Sequence, residues 1–181
     1  MKDLVNEGRN LQDKFKKTIL SEIALYEGEV QMPKGFEIKK EPLIKDCAKS
    51  RLLKEKFPLS RERDKITTWI TDHSRSKFNL VIQDHSLYGA MYKHGCSFPQ
   101  RNIDVNETRT SPDFTCIYGI DVKDCWIKIY YDVNRRKGRS LDIKLETNHF
   151  IMFPSNLMYV VNNQQKEERI NTVLYINYDQ I

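Results

Sequence analysis

Two segments decide how this chain folds: His149-Phe-Ile-Met-Phe-Pro-Ser-Asn-Leu-Met-Tyr-Val-Val161 and Glu168-Arg-Ile-Asn-Thr-Val-Leu-Tyr-Ile-Asn-Tyr178. Each is rich in β-branched and aromatic residues, the composition typical of a β-strand. Pro154 ends the first strand because it has no backbone N–H to donate, and Ser155 can hydrogen-bond the turn that follows. The sequence therefore predicts a strand, a tight turn, a second strand and, after a short connection, a third.

Strand patterns also precede these segments. Where Ile127 and Ile129 alternate with Lys128, the period of two indicates a strand with one buried face. Short strands joined by turns favour an antiparallel sandwich or barrel. The earlier strand segments are Phe114–Ile120, Trp126–Tyr131 and Leu141–Leu145.

Residues 9–27 carry apolar side chains at helical spacing, with Lys and Glu between them. The pattern predicts an N-terminal helix with one apolar stripe, which either the same chain's sheet or another subunit must cover. We therefore predict an interaction surface formed by Leu11, Phe15, Ile19, Ile23 and Tyr26.

Prolines and glycines punctuate residues 28–58, which predicts an extended, wrapping segment with one helical turn near residues 47–56. Ser60 then suits the N-cap of a second helix. In that helix Ile66, Trp69, Ile70 and His73 share a face.

Bulk composition excludes several classes of function. The chain has 30 Lys and Arg residues and 25 Asp and Glu residues, which gives a net charge of +5. A net charge this small argues against a nucleic-acid partner. The sequence has no apolar run of about 18 residues, so no membrane span is predicted. Its first residues lack the apolar core of a signal peptide, and we therefore expect cytoplasmic synthesis. The four cysteines lack metal-ligand spacing and are predicted to be structural thiols.

The order of helices first and short strands afterwards resembles that of the 2-oxoglutarate/Fe(II) dioxygenases of prolyl-hydroxylase type. In that family a Phe-Pro-Ser turn leads into a strand with the distal iron-binding histidine, and an arginine ten residues later pairs with the cosubstrate carboxylate. Here Phe153-Pro-Ser leads to Tyr159 in the histidine position, and Arg169 stands in the arginine position. The resemblance implies an α+β, mainly β fold: a double-stranded β-helix (jelly-roll) preceded by N-terminal helices. Residues 1–58 would form the helix and wrapping arm, and residues 59–181 the jelly-roll domain.

The family's other two ligands form a His-x-Asp pair, or in a related branch a His-x-His pair shortly before a strand. If that strand is Phe114–Ile120, the resemblance places these ligands at Glu107 and Arg109. A guanidinium cannot ligate iron, and the phenol of Tyr159 is an uncommon ligand for this chemistry. The resemblance thus implies an iron site that has lost most of its ligands.

Arg169 has two interpretations: it binds the cosubstrate carboxylate, or it has a structural role only, either paired with an Asp or Glu of the chain or pointing to solvent. An iron site of unusual composition, built from His85, His94 and a carboxylate, is an alternative. A third is a binding site for a small anion, formed by Arg169 and Arg109.

The sequence as a whole favours a non-catalytic structural or interaction module on a degenerate oxygenase scaffold, without a metal or cofactor. Its expected partners are other protein subunits, in a homo- or hetero-oligomeric assembly. The abundance of Lys, Asn and Ile favours a bacteriophage origin, with the virion neck, tail junction or baseplate as the setting. The alternative is an active dioxygenase that uses Fe(II) and 2-oxoglutarate.

Overall fold

The computed structural model describes residues 23–53, 57–97, 99–103, 108–132, 138–164 and 169–181. Over these ranges the chain forms two α-helices, α1 (Lys40–Leu53) and α2 (Arg61–Phe78). The strands are β1 (Tyr26–Glu29), β2 (Ile82–Tyr92), β3 (Gly95–Cys96), β4 (Phe114–Asp121), β5 (Cys125–Asp132), β6 (Arg139–Leu145), β7 (His149–Pro154), β8 (Met158–Asn163) and β9 (Asn171–Gln180).

The strands form two antiparallel sheets, of five strands in the order β1-β7-β4-β9-β2 and of four in the order β3-β8-β5-β6. Helices pack on one face of the five-stranded sheet, and the second sheet packs on the other. Strand β4 is covered by the helices on one face and by the second sheet on the other, so every residue from Phe114 to Ile120 is buried.

The predicted strands from residue 114 onward are confirmed. Ile127 and Ile129 are buried between the sheets, as the alternation predicts, whereas Tyr131 at the end of β5 is 40% exposed. The second helix is also confirmed, with Ser60 as its N-cap accepting a hydrogen bond from the Arg63 backbone N–H. None of the described helices has the length and apolar character needed to cross a bilayer.

Three expectations differ from the structure. Tyr26 lies in a strand rather than a helix, because its backbone pairs with β7 and its ring packs on Phe78 at 4.9 Å. Of the other stripe residues, Ile23 is 56% exposed, and the remaining three lie outside the described residues.

The single turn predicted near residues 47–56 is instead the 14-residue helix α1. Pro42 is compatible with it because the first turn of a helix needs no internal N–H donors. Leu43 and Cys47, one turn apart, are fully buried against the sheet.

The third difference is β2, an 11-residue strand that the sequence pattern does not predict. It lies at the sheet edge, where Gln83, Asp84, His85 and Ser86 are exposed. An edge strand can carry polar residues on both faces, so it lacks the apolar alternation by which strands are recognised.

Candidate functional site

Tyr159 lies at the centre of the space between the sheets. It follows the Phe-Pro-Ser turn on β8, where Tyr159, Val161 and Asn163 alternate inward and are buried. The Tyr159 ring packs edge-on against Phe153 at 5.1 Å and lies 6.3 Å from the Tyr175 ring. The position to which the sequence resemblance assigns the distal iron ligand therefore holds a fully buried aromatic ring.

An extended segment after β3 brings two amides to Tyr159. Gln100 exchanges two backbone hydrogen bonds of 3.0 Å with Tyr159, which fixes the register between them. The Gln100 side-chain amide donates to the Tyr175 hydroxyl at 3.4 Å, and Asn102 Oδ1 accepts a long 3.5 Å bond from the Tyr159 hydroxyl. Gln100 and Asn102, separated by one residue, thus approach the same place as Tyr159.

Asn102 also joins a buried polar network at one end of this interior. Its Nδ2 donates to Thr115 Oγ1 at 3.0 Å and to Asn177 Oδ1 at 3.2 Å. Thr115 in turn shares a 2.8 Å hydrogen bond with Ser155, the buried serine of the Phe-Pro-Ser turn. These bonds satisfy the buried polar groups and hold the Asn102 amide in one orientation.

Four tyrosines surround this point, of which Tyr159 and Tyr175 are fully buried and Tyr88 is 36% exposed. Tyr88 stacks on Tyr175 at 4.7 Å, and the hydroxyls of Tyr92 and Tyr175 are 2.7 Å apart. Burial raises the pKa of Tyr88, Tyr92, Tyr159 and Tyr175 because it disfavours the charged phenolate. The interior is a packed cluster of neutral phenols and amides.

This cluster predicts a stability loss at alkaline pH. Each of these tyrosines has a higher pKa in the folded chain than in the unfolded chain, where a tyrosine ionises near pH 10. Their contribution to stability is therefore complete below about pH 10 and is lost as the pH rises through the folded-state values. We expect tyrosinate absorbance to show that several of the nine tyrosines ionise only as the protein unfolds. Ionisation of all nine near pH 10 in a folded protein would contradict the packing.

The structure places Arg169 against a carboxylate of its own chain. An Arg169 Nη lies 2.6 Å from Asp121 Oδ1, and the Lys40 ammonium is 3.8 Å from the same oxygen. Of the two interpretations of Arg169, this geometry matches the pair within the chain.

The other candidate residues are not brought together. Arg109 is exposed on a short 3₁₀ turn, and Glu107 lies outside the described residues. His85 pairs with Asp179 at 3.1 Å near the start of β2, whereas His94 follows the end of that strand. At about 3.3 Å per residue, the strand between them spans roughly 20 Å, far too much for two ligands of one metal.

Three cysteines, Cys47, Cys116 and Cys125, are buried free thiols. Burial raises the pKa of both Cys47 and Cys125 to about 12, so these thiols are poor metal ligands. Over the ranges that the structure describes, no three His, Cys, Asp or Glu side chains come together as a possible metal site.

The residues around Tyr159 do not fit an iron centre. A 2-oxoglutarate oxygenase holds Fe(II) with two imidazoles and a carboxylate, and here the converging groups are the Gln100 amide, the Asn102 amide and a protonated phenol. Sequence reasoning missed Gln100 and Asn102. Their spacing is that of a His-x-Asp pair, but only the bridge between Gln100 and Tyr159 identifies their position.

Solved structures similar to this chain include a hydroxylase, an alpha-ketoglutarate-dependent epimerase and a protein solved with 2-oxoglutarate. A prolyl-4-hydroxylase from Pseudomonas putida matches with a TM-score of 0.55 and 10% identity, covering 87% of this chain and 92% of that one. The non-heme alpha-ketoglutarate-dependent epimerase SnoN from nogalamycin biosynthesis matches with a TM-score of 0.59 and 6% identity, covering 86% and 78%. HygX from Streptomyces hygroscopicus, solved with nickel and 2-oxoglutarate, matches with a TM-score of 0.58 and 9% identity, covering 87% and 83%.

Neither a protein-family sequence model nor a curated protein sequence matches the chain. At these low identities the structural likeness shows the fold alone: a jelly-roll like that of the 2-oxoglutarate-dependent oxygenases.

Proposed function

We propose that this chain is a non-catalytic interaction module on the scaffold of a 2-oxoglutarate/Fe(II) oxygenase. The observation that carries the proposal is the convergence of Gln100, Asn102 and Tyr159 in the interior, where such a scaffold would hold iron. Amides bind Fe(II) weakly compared with imidazole and carboxylate, and a phenol of raised pKa stays protonated.

The packing supports the same conclusion. Tyr159 and Tyr175 are both fully buried between the sheets, and their rings lie 6.3 Å apart. Aromatic rings of this size stabilise a core through their buried area and through their hydroxyl hydrogen bonds. The interior therefore supports the fold rather than a reaction.

The arginine that binds the cosubstrate carboxylate in the oxygenase family is also engaged elsewhere in this chain. The Arg169 guanidinium is held by Asp121, so a dicarboxylate would have to displace an existing charge pair. The alternative, an active enzyme with iron bound by His85 and His94, requires His85 near the start of β2 to meet His94 beyond the end of that strand.

The partners that we propose are other protein subunits, of the same or a different kind. Exposed Ile23 and the apolar stripe at Leu11, Phe15 and Ile19 are the surface proposed to meet them. A phage particle is the proposed setting, at its neck, tail junction or baseplate. Support for that setting comes from the composition, rich in Lys, Asn and Ile.

The test is anaerobic titration of the purified full chain with Fe(II), with and without 2-oxoglutarate. We expect no saturable binding by calorimetry and no succinate formation. Stoichiometric iron binding with turnover of 2-oxoglutarate would overturn the proposal. Light scattering on the same sample tests the partner assignment, and a monomeric mass at every concentration would exclude a homo-oligomer.

A further inference from the structure

A cleft of about 350 Å³ opens beside the turn between β2 and β3, where Tyr92 of the tyrosine cluster contributes to its lining. Its volume falls in the range of small-molecule sites. Arg51 from the end of α1 and both Lys93 and His94 from the turn contribute to its lining. None of its described lining residues is acidic.

Arg51 is fixed in position by the backbone of β2. One of its Nη groups donates to the Met91 carbonyl oxygen at 3.0 Å, although the side chain remains exposed. A guanidinium has five N–H groups in a rigid fork, so this bond orients the group and leaves donors for a ligand.

The charges of Arg51 and Lys93 are not neutralised within the described chain. Neither residue forms an ion pair with a described carboxylate. Like charges around a concave surface raise the local positive potential and attract an anion. A phosphate group, with up to two negative charges and three acceptor oxygens, complements two cations in one cleft better than a carboxylate does.

Apolar groups complete the cleft. Met91, Tyr92 and Ile170 contribute to its lining, and Ile170 is 38% exposed. The Tyr92 hydroxyl is held by the Tyr175 hydroxyl, so the Tyr92 ring has a fixed position. An aromatic or aliphatic body could therefore pack here while its charged group contacts Arg51.

We propose that this cleft binds a phosphate monoester carried on an apolar or aromatic body. The inference goes beyond the proposed function and does not depend on whether the interior holds iron. The probe is phenyl phosphate, titrated into the full chain at constant ionic strength and followed by calorimetry and thermal unfolding.

We expect phenyl phosphate to raise the melting temperature, because a ligand bound only to the folded state stabilises it. The variant Arg51→Gln keeps a donor for Met91 but removes the charge, and it should weaken binding about tenfold. Lys93→Gln should also weaken binding. Lys49→Gln, an exposed cation on the same helix outside the cleft, is the matched control and should bind as the parent does.

Four results would overturn the proposal. The first three are no binding of phenyl phosphate by the parent chain, equal weakening by Lys49→Gln and Arg51→Gln, and tighter binding of phenylacetate than of phenyl phosphate. Equal stabilisation by inorganic phosphate would also overturn it, because that outcome means that the apolar wall contributes nothing.

Discussion

Replacing Gly89 with alanine is expected to lower the free energy of unfolding by roughly 3 kcal/mol, at the upper end for an overpacked core. A Cβ at this position would lie 2.5 Å from Cys47 Sγ, 2.8 Å from its Cβ and 2.9 Å from its Cα. These distances are below van der Waals contact, and one of them is to the backbone of α1. The helix would have to move away from β2, which separates Leu43 and Cys47 from the core.

Chemical denaturation in urea measures this effect, with Gly28→Ala as the control. A Cβ at Gly28 would meet only the Phe150 ring, at 3.1 Å, and a side chain can adjust more easily than a helix backbone. In the double variant, Cys47→Ala should restore only part of the loss from Gly89→Ala, because the new methyl group would still clash with the Cβ and the backbone of residue 47. Equal stabilities of the Gly89 and Gly28 variants would show that α1 does not pack as described.

An element of this fold could be predicted where the sequence pattern that specifies it lies within a few neighbouring residues. Ser60 is followed by a helix, and Ile127 alternates with Lys128, because capping and periodicity act within a few residues. Helix α1 has no continuous apolar stripe, and Pro42 is a residue that usually interrupts a helix. It is helical because Leu43 and Cys47 are buried against a sheet formed by residues far along the chain.

In the candidate site, too, only the residue specified by a local motif could be predicted. Tyr159 was predicted because a short turn motif fixes its place on β8. Gln100 and Asn102 were not, because their relation to Tyr159 is one of register between segments about 60 residues apart. The partner of Arg169, Asp121, is also distant in sequence, so the sequence left both interpretations of this arginine open.

A chain carrying Gln100→His, Asn102→Asp and Tyr159→His is expected to bind a divalent metal more tightly than the parent chain does. These substitutions place two imidazoles and a carboxylate where the two amides and the phenol now converge. The smaller histidine also leaves space beside Phe153 for an ion. We expect affinity for Co²⁺ or Ni²⁺ to rise at least about a hundredfold over the parent, equivalent to roughly 2.8 kcal/mol.

Losing the buried Tyr159 ring should lower the melting temperature of the metal-free variant, and saturating metal should raise it again by mass action. The visible absorption of bound Co²⁺ reports the ligand set, and the thermal shift reports occupancy. Double variants that lack any one of the three substitutions should bind much more weakly.

The matched control carries Glu107→His, Arg109→Asp and Tyr159→His, which places the pair at the positions implied by sequence resemblance alone. If that control bound metal and the first variant did not, Gln100 and Asn102 would not be the ligand positions, and the proposal of a filled iron site would lose its main support.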